Sequence, residues 1–97
     1  MFSERCEMLV PIYTTKFHKD LKRCKKRGLD LQKLKKIVVD LQEETPLDPK
    51  HRVHPLHGEY KGYTGCHIEP DWLLIYLVDQ KQGEIYFTRT GTHSDLF

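Results

Sequence analysis

Between His54 and Trp72 the chain reads HPLHGEYKGYTGCHIEPDW. That stretch holds His54, His57 and His67, the acids Glu59, Glu69 and Asp71, and the aromatics Tyr60, Tyr63 and Trp72, with Lys61 as its only lysine. Histidine gives and takes protons near neutral pH, which marks such a stretch for acid–base chemistry. A later run, RTGTHSDLF from Arg89 to Phe97, adds Arg89, His93 and Phe97. Several titratable groups plus a guanidinium suit phosphodiester cleavage. That reaction needs a base for the attacking hydroxyl, an acid for the leaving oxygen and a cation on the phosphate. RNA brings its own nucleophile, the 2′-hydroxyl, so this route calls for neither a metal nor a covalent enzyme intermediate. A metal site is the competing reading, because His51, His54 and His57 are spaced HxxHxxH and histidine is a common zinc ligand. That spacing falls in a proline-containing segment rather than on a helix that would align the ligands, and neither CxxC nor HExxH occurs. No metal and no cofactor is therefore expected. Cys66 alternates with His67 and reads as an ordinary buried cysteine, not a nucleophile.

The charge is unevenly placed. Of sixteen Lys and Arg residues, ten lie between Lys16 and Lys36, opposed only by Asp20 and Asp30, so that segment carries +8 in a chain whose net charge is +2. A basic segment beside a histidine-rich one implies a polyanion held against a reactive site, or simply a solvated helical face. At 97 residues, with 38% hydrophobic and 31% charged content, the chain is expected to form one domain, 1–97, with one modest core. No apolar run approaches the ~18 residues of a membrane span. The start, MFSERCEMLV, shows no signal-peptide pattern. Three scattered cysteines, Cys6, Cys24 and Cys66, argue against a disulfide framework and for a reducing, cytoplasmic setting.

Positioning elements follow from periodicity. Leu9 to Tyr13 reads as a strand, with Pro11 suited to a sheet edge. Thr14 or Thr15 can cap a helix whose apolar face is Phe17, Leu21 and Cys24, ended by Lys25–Lys26–Arg27 and Gly28. Asp30 can cap a second helix carrying Leu31, Leu34, Ile37, Val38 and Leu41, stopped by Glu43 to Pro46. Pro46 to His57 reads as a loop. Lys61 to Glu69 alternates as a strand, Thr64, Cys66 and Ile68 facing one way and Tyr63, Gly65, His67 and Glu69 the other. Trp72 to Val78 is continuously apolar, as a central strand covered on both faces should be. Glu84 to Thr90 alternates again, and Ser94 to Phe97 can form one helical turn. The order is β-α-α-β-β-β, an α+β domain with a helical hairpin packed on an antiparallel meander.

Two stretches, HPLHGEYKGYTGCHIEPDWLLIY and RTGTHSDLF, together resemble the YafQ branch of the RelE/ParE toxin superfamily, and YTTKFHKDLKRCKKRG resembles that branch's first helix. The similarity runs from about Val10 to Phe97, leaving residues 1–7 as a loosely ordered extension. It implies a RelE-like fold and the toxin of a type II toxin–antitoxin pair. The implied activity is an mRNA interferase, a ribosome-dependent endoribonuclease working by metal-independent 2′-hydroxyl attack. The implied partners are a cognate antitoxin, in a complex expected to be a heterotetramer, and ribosome-bound mRNA, with Lys22, Lys25 and Lys26 of the basic helices on ribosomal RNA. Carried over position by position, the catalytic set is His54 of HPL, His67 before EPDW, Asp71 of PDW and His93 of GTH.

The expected roles are Asp71 as general base, His93 as general acid, and His54 and His67 as positioners and charge stabilisers, with His67 the other choice of base. An aspartate at its ordinary pKa of ~3.9 is a weak base, so Asp71 needs a raised pKa or a relay through histidine. Arg89 is expected to hold phosphate or to pack against the sheet edge. Phe97 and Trp72 are expected to stack on bases, Trp72 equally serving as a core anchor. One departure is Gly65, where the family pattern has an acid; that acid's role is lost or moves to Glu69. The rival reading is a non-enzymatic poison of DNA gyrase like ParE, which shares the fold but has no need of the His/Asp set. A third is a DNA-binding repressor subunit using the basic hairpin.

Overall fold

The computed structural model describes residues 8–97; the expected extension at residues 1–7, and Cys6 with it, lies outside the described residues. Strand β1, Val10–Tyr13, leads to a helix through Thr14, whose extended backbone lets its Oγ1 accept from the Phe17 N–H at 3.0 Å. The same hydroxyl donates to the Thr88 carbonyl at 2.8 Å, tying the cap to the sheet. Helix α1, Thr15–Lys26, buries Phe17, Asp20 and Cys24, and the chain turns out of it at Gly28, whose φ of +79° suits glycine. Asp30 caps α2, Leu31–Gln42, by accepting from the Gln32 N–H at 3.0 Å, and α2 buries Leu34, Ile37 and Val38.

Three longer strands follow: β3, Thr64–Glu69; β4, Trp72–Asp79; and β5, Glu84–Gly91. They pair as the expected antiparallel meander. Two additions enlarge it. Within the segment read as a loop, His54–Pro55 forms a two-residue strand, β2, against β3. At the other edge β1 pairs in parallel with β5, because the chain leaves β1 through the helices before it enters the meander. The sheet is therefore mixed, ordered β1-β5-β4-β3-β2, with β4 at its centre and Pro11 on an edge strand. Alternation gave the meander but could not show which edge β1 would join. The final turn is helical from His93 to Leu96, α3, one residue earlier than read.

Strand β4 is covered on both faces, as its unbroken apolar run implied. Trp72, Leu74 and Tyr76 face the helices and pack with Phe17, Cys24, Leu34, Ile37, Ile85 and Phe87. Leu73 and Ile75 face the other way, beneath Leu96, Leu56, Tyr60 and Tyr63. Burying a large apolar side chain is worth ~1.5–3 kcal/mol, so the helix-side cluster carries most of the stability. The smaller cluster forms the floor of the site. No helix among the described residues is long and apolar enough to cross a membrane.

Candidate active site

Strand direction decides what meets on the smaller face. The first residues of β4 pair with the last of β5, Leu73 opposite Gly91, so the segment after β5 arrives beside the Pro70–Asp71 turn before β4. Asp71 thereby meets His93: its Oδ1 accepts from the His93 ring Nδ1 at 2.6 Å and from the His93 backbone N–H at 3.1 Å. The bond from the ring, then that from the backbone, hold the Asp71 carboxyl below the usual carboxylate range. His67, on the same face of β3, lies with its ring centroid 5.8 Å from that of His93, and His54 stacks 6.0 Å beyond it. Three histidines and a carboxylate drawn from β2, β3, a turn and α3 thus form one row. The rings of His54, His67 and His93 line a small pocket of about 110 Å³ with Leu73, Ile75 and Phe97.

Each ring is held by its Nδ1. His67 Nδ1 bonds the Pro70 carbonyl at 3.2 Å and His54 Nδ1 the Arg52 carbonyl at 2.7 Å. A carbonyl can only accept, so Nδ1 carries the hydrogen and Nε2 of the neutral ring is the basic atom. The row therefore offers basic Nε2 atoms on His54 and His67. His93 differs in having a carboxylate behind its ring, which opposes the positive charge when the ring is protonated.

That geometry revises the expected roles. Asp71 was to be the base through a raised pKa or through a relay by histidine; its pKa is lowered instead, which weakens it as a direct base, and its bond to the His93 ring suits it to acting through and orienting that histidine. Trp72 is not a stacking platform: it is 2% exposed, its Nε1 donates to Thr90 Oγ1 at 3.0 Å, and that hydroxyl donates to the Leu73 carbonyl at 2.7 Å. A large indole at the start of the central strand is worth more buried than presented to solvent. Phe97 is 63% exposed, edge-on to Tyr60, with its ring 6.5 Å from that of His93. The Glu69 carboxylate, the other candidate for the missing acid, is paired with Lys33 of α2 at 2.6 Å. At Gly65 a Cβ would lie 3.0 Å from the Leu56 side chain, which would have to give by a few tenths of an ångström to admit any side chain there. Lys22, Lys25 and Lys26 are exposed on α1, off its buried stripe. The HxxHxxH histidines do not converge. His51 Nδ1 donates to the His67 carbonyl at 2.6 Å, His54 is held by Arg52, and His57 is exposed; no group of three or more His, Cys, Asp or Glu among the described residues has metal-holding geometry. Cys66 is fully buried, and burial pushes its thiol up to about 12, which removes it as a nucleophile.

Arg89 is engaged by a partner that sequence reasoning missed. Its Nε donates to Asp20 Oδ2 at 2.7 Å and its Nη2 to Asp20 Oδ1 at 3.2 Å, leaving Nη1 toward the Tyr60 hydroxyl at 3.3 Å. Asp20, 1% exposed, also accepts from the Thr90 N–H at 3.1 Å, so it locks α1 to β5 just before the site. The signal was its place between Phe17 and Cys24 on the buried stripe, where an acid demands a partner. Asp95 was missed as well. It closes a capping box with Thr92 and pairs with Arg27 at 2.6 Å, fixing α3 and hence His93.

A small α+β domain that sets a row of histidines and a carboxylate on the open face of its sheet is the class of protein that fold and site define. The chain belongs to the YafQ family, bacterial toxins of type II toxin–antitoxin systems, whose model matches residues 10–97. It is 44% identical over 86 residues to the mRNA interferase toxin YafQ of Escherichia coli (strain K12), spanning 88% of this chain and 91% of that protein. Among solved structures, it matches the E. coli DinJ-YafQ toxin–antitoxin complex with a TM-score of 0.82 at 43% identity, over 90% of this chain and 94% of that one. A metal-bound toxin from Helicobacter pylori matches with a TM-score of 0.87 at 43% identity, over 93% of this chain and all of that one.

Proposed function

We propose that this toxin is an mRNA interferase that cuts ribosome-bound messages by attack of the 2′-hydroxyl on the adjacent phosphate, leaving a 2′,3′-cyclic phosphate and a 5′-hydroxyl. The observation that carries the reading is the His93–Asp71 pair, 2.6 Å apart, beside the His67 ring. Nε2 of His67 takes the proton of the 2′-hydroxyl. Nε2–H of protonated His93 gives its proton to the departing 5′-oxygen, while Asp71 holds the ring and faces its charge. His54 stands next to His67 as a second polar group for the pentacoordinate phosphate, and Phe97 stacks on a base. Arg89 Nη1 is the one guanidinium nitrogen not bonded to Asp20, so its help to the phosphate is limited to that atom. The partner in the cell is a cognate antitoxin, with two toxin–antitoxin pairs per complex, and the exposed lysines of α1 rest on ribosomal RNA. A gyrase poison of the same fold has no use for the row of histidines and is not favoured.

His93→Gln tests the assignment, because glutamine keeps hydrogen bonding but cannot act as the acid. Single-turnover cleavage of a programmed message should fall ~10²–10⁴-fold with ribosome binding near wild type. The deficit should shrink when the leaving 5′-oxygen is replaced by sulfur, which hardly needs protonation. A variant that cleaves at the normal rate, or a deficit that sulfur leaves untouched, removes His93 from this role.

A further inference from the structure

A second, larger concavity of about 690 Å³ lies on the other side of His67, between α2, the turn at Pro49–His51 and the end of β3. Its cations are Lys33, Lys36, Lys50 and Arg52, and its only carboxylate is Glu69. Glu69 is already neutralised by Lys33 at 2.6 Å, and Lys36 pairs outside the lining with Asp40 at 2.7 Å. No ion pair among the described residues engages Lys50 or Arg52. Ile37 and Ile68 supply an apolar base. The volume is in the range of ligand pockets, ~300–1,000 Å³.

The turn that carries these cations is built against the row of histidines. Asp48 caps it by accepting from the Lys50 N–H at 2.9 Å, and His51 pins it to the His67 carbonyl at 2.6 Å. Arg52 sits in the left-handed region, φ +46°, a strained place for a side chain other than glycine. That conformation presents its carbonyl to His54 at 2.7 Å. One residue thus orients a ring of the active site through its backbone while its side chain lines the neighbouring concavity.

We propose that this concavity is a subsite for the RNA strand beside the cleaved bond, with Lys50 and Arg52 binding the adjacent backbone phosphate. The inference rests on the nuclease reading above. Single-stranded RNA is the occupant because the lining is cationic over an apolar base, as phosphate and a nucleoside face together require, and because the concavity shares His67 with the row where cleavage is assigned.

The test is Lys50→Gln/Arg52→Gln, with Lys50→Gln alone sparing the strained position and Lys81→Gln, in the β4–β5 turn, as the control for loss of a charge. Cleavage is measured on ribosome-bound synthetic messages with a native phosphate or an uncharged methylphosphonate at each neighbouring position. The double variant should raise KM about tenfold and reduce the salt slope by about one, for the single phosphate both cations bind. At one position the methylphosphonate should slow wild type without slowing the double variant further, and Lys50→Gln should show part of the effect. Equal sensitivity of variant and wild type at every position, or cleavage by the variant at the wild-type KM, overturns the subsite. A variant that cleaves normally but binds the antitoxin more weakly gives the concavity to the protein partner and overturns it too. Binding of a message with 2′-deoxyribose at the cleavage position is followed in parallel. A wild-type protein that binds this message but cleaves no message sinks the nuclease reading alone, and the binding data then decide the subsite.

Discussion

Asparagine in place of Asp20 keeps the side-chain volume and removes the charge that Arg89 faces. One carboxylate oxygen accepts from Arg89 Nε at 2.7 Å and from the Thr90 N–H at 3.1 Å, and the other from Arg89 Nη2 at 3.2 Å. An amide can supply the first oxygen, but its NH2 group then meets Nη2 and also Arg23 Nη1, which lies 3.4 Å from the native carboxylate. One charge-assisted bond, worth ~1.5–3 kcal/mol, is lost and another weakened. The Arg89 side chain keeps 16% exposure, so water recovers part of the loss, and about 2–3 kcal/mol is the expected net cost. Asp20→Ala also orphans the Thr90 N–H and should cost ~3–5 kcal/mol. At ~4–8 °C per kcal/mol for a chain of this size, the asparagine variant should melt roughly 10–20 °C below wild type and the alanine variant lower still. Thermal unfolding followed by circular dichroism measures both. Asp20→Leu combined with Arg89→Met replaces the ion pair by apolar packing and should recover stability relative to Asp20→Leu alone. Message cleavage by that double variant then reports what Arg89 does for the reaction apart from the fold. An Asp20→Ala protein within ~1 kcal/mol of wild type, or a double variant no more stable than the single, would refute this account of the pair.

Gly91→Ala places a Cβ 2.8 Å from Asp95 Oδ2, so the side chain that caps α3 must shift; cleavage should fall more than stability, and a variant with wild-type kcat and KM would show that α3 tolerates the displacement. The Asp95 carboxyl is held well below the usual carboxylate range, first by the hydrogen bond from Arg27. A carboxyl lowered on folding contributes stability that is complete above the unfolded value of ~3.9 and is lost as pH falls through the folded one. Arg27→Gln should therefore flatten the decline in stability between about pH 5 and pH 2, and an unchanged acid limb in urea titrations would count against the Arg27–Asp95 pair as its cause. Changing Lys22, Lys25 and Lys26 together to Glu should weaken ribosome association and its salt dependence while leaving the melting temperature near wild type; unaltered binding would reduce those lysines to a solvated face.

Element existence was legible because periodicity is local: the stripe Phe17, Leu21 and Cys24, the caps Thr14 and Asp30, and the unbroken run of β4 each announced a burial pattern within a dozen residues. The parallel β1–β5 pair was not, because it joins segments more than seventy residues apart and leaves no local mark. The histidine row was found by residue type, but its ordering depended on strand direction, which brings Gly91 opposite Leu73. Asp20 and Asp95 escaped for a related reason. Asp95 looks like an ordinary charge until Arg27 is brought across from a distant element, and Asp20, though marked by its place on the buried stripe, has a partner, Arg89, that only the fold brings to it. Trp72 is the reverse case: its type allowed stacking or a core anchor equally, and only its place in the fold shows that it serves the core.

The rings of His54 and His67 hang on backbone carbonyls of irregular segments and that of His93 on an exposed carboxylate, while the floor beneath them belongs to β4. On the proposed function, toxicity and foldedness are separable by a single substitution. A lineage escaping its own toxin has a short path to a chain that still folds, still displays its helices and still occupies an antitoxin, yet no longer cuts. Such a chain would act as a sponge for antitoxin, and its effect on a cell holding a second, active copy would be the opposite of silence.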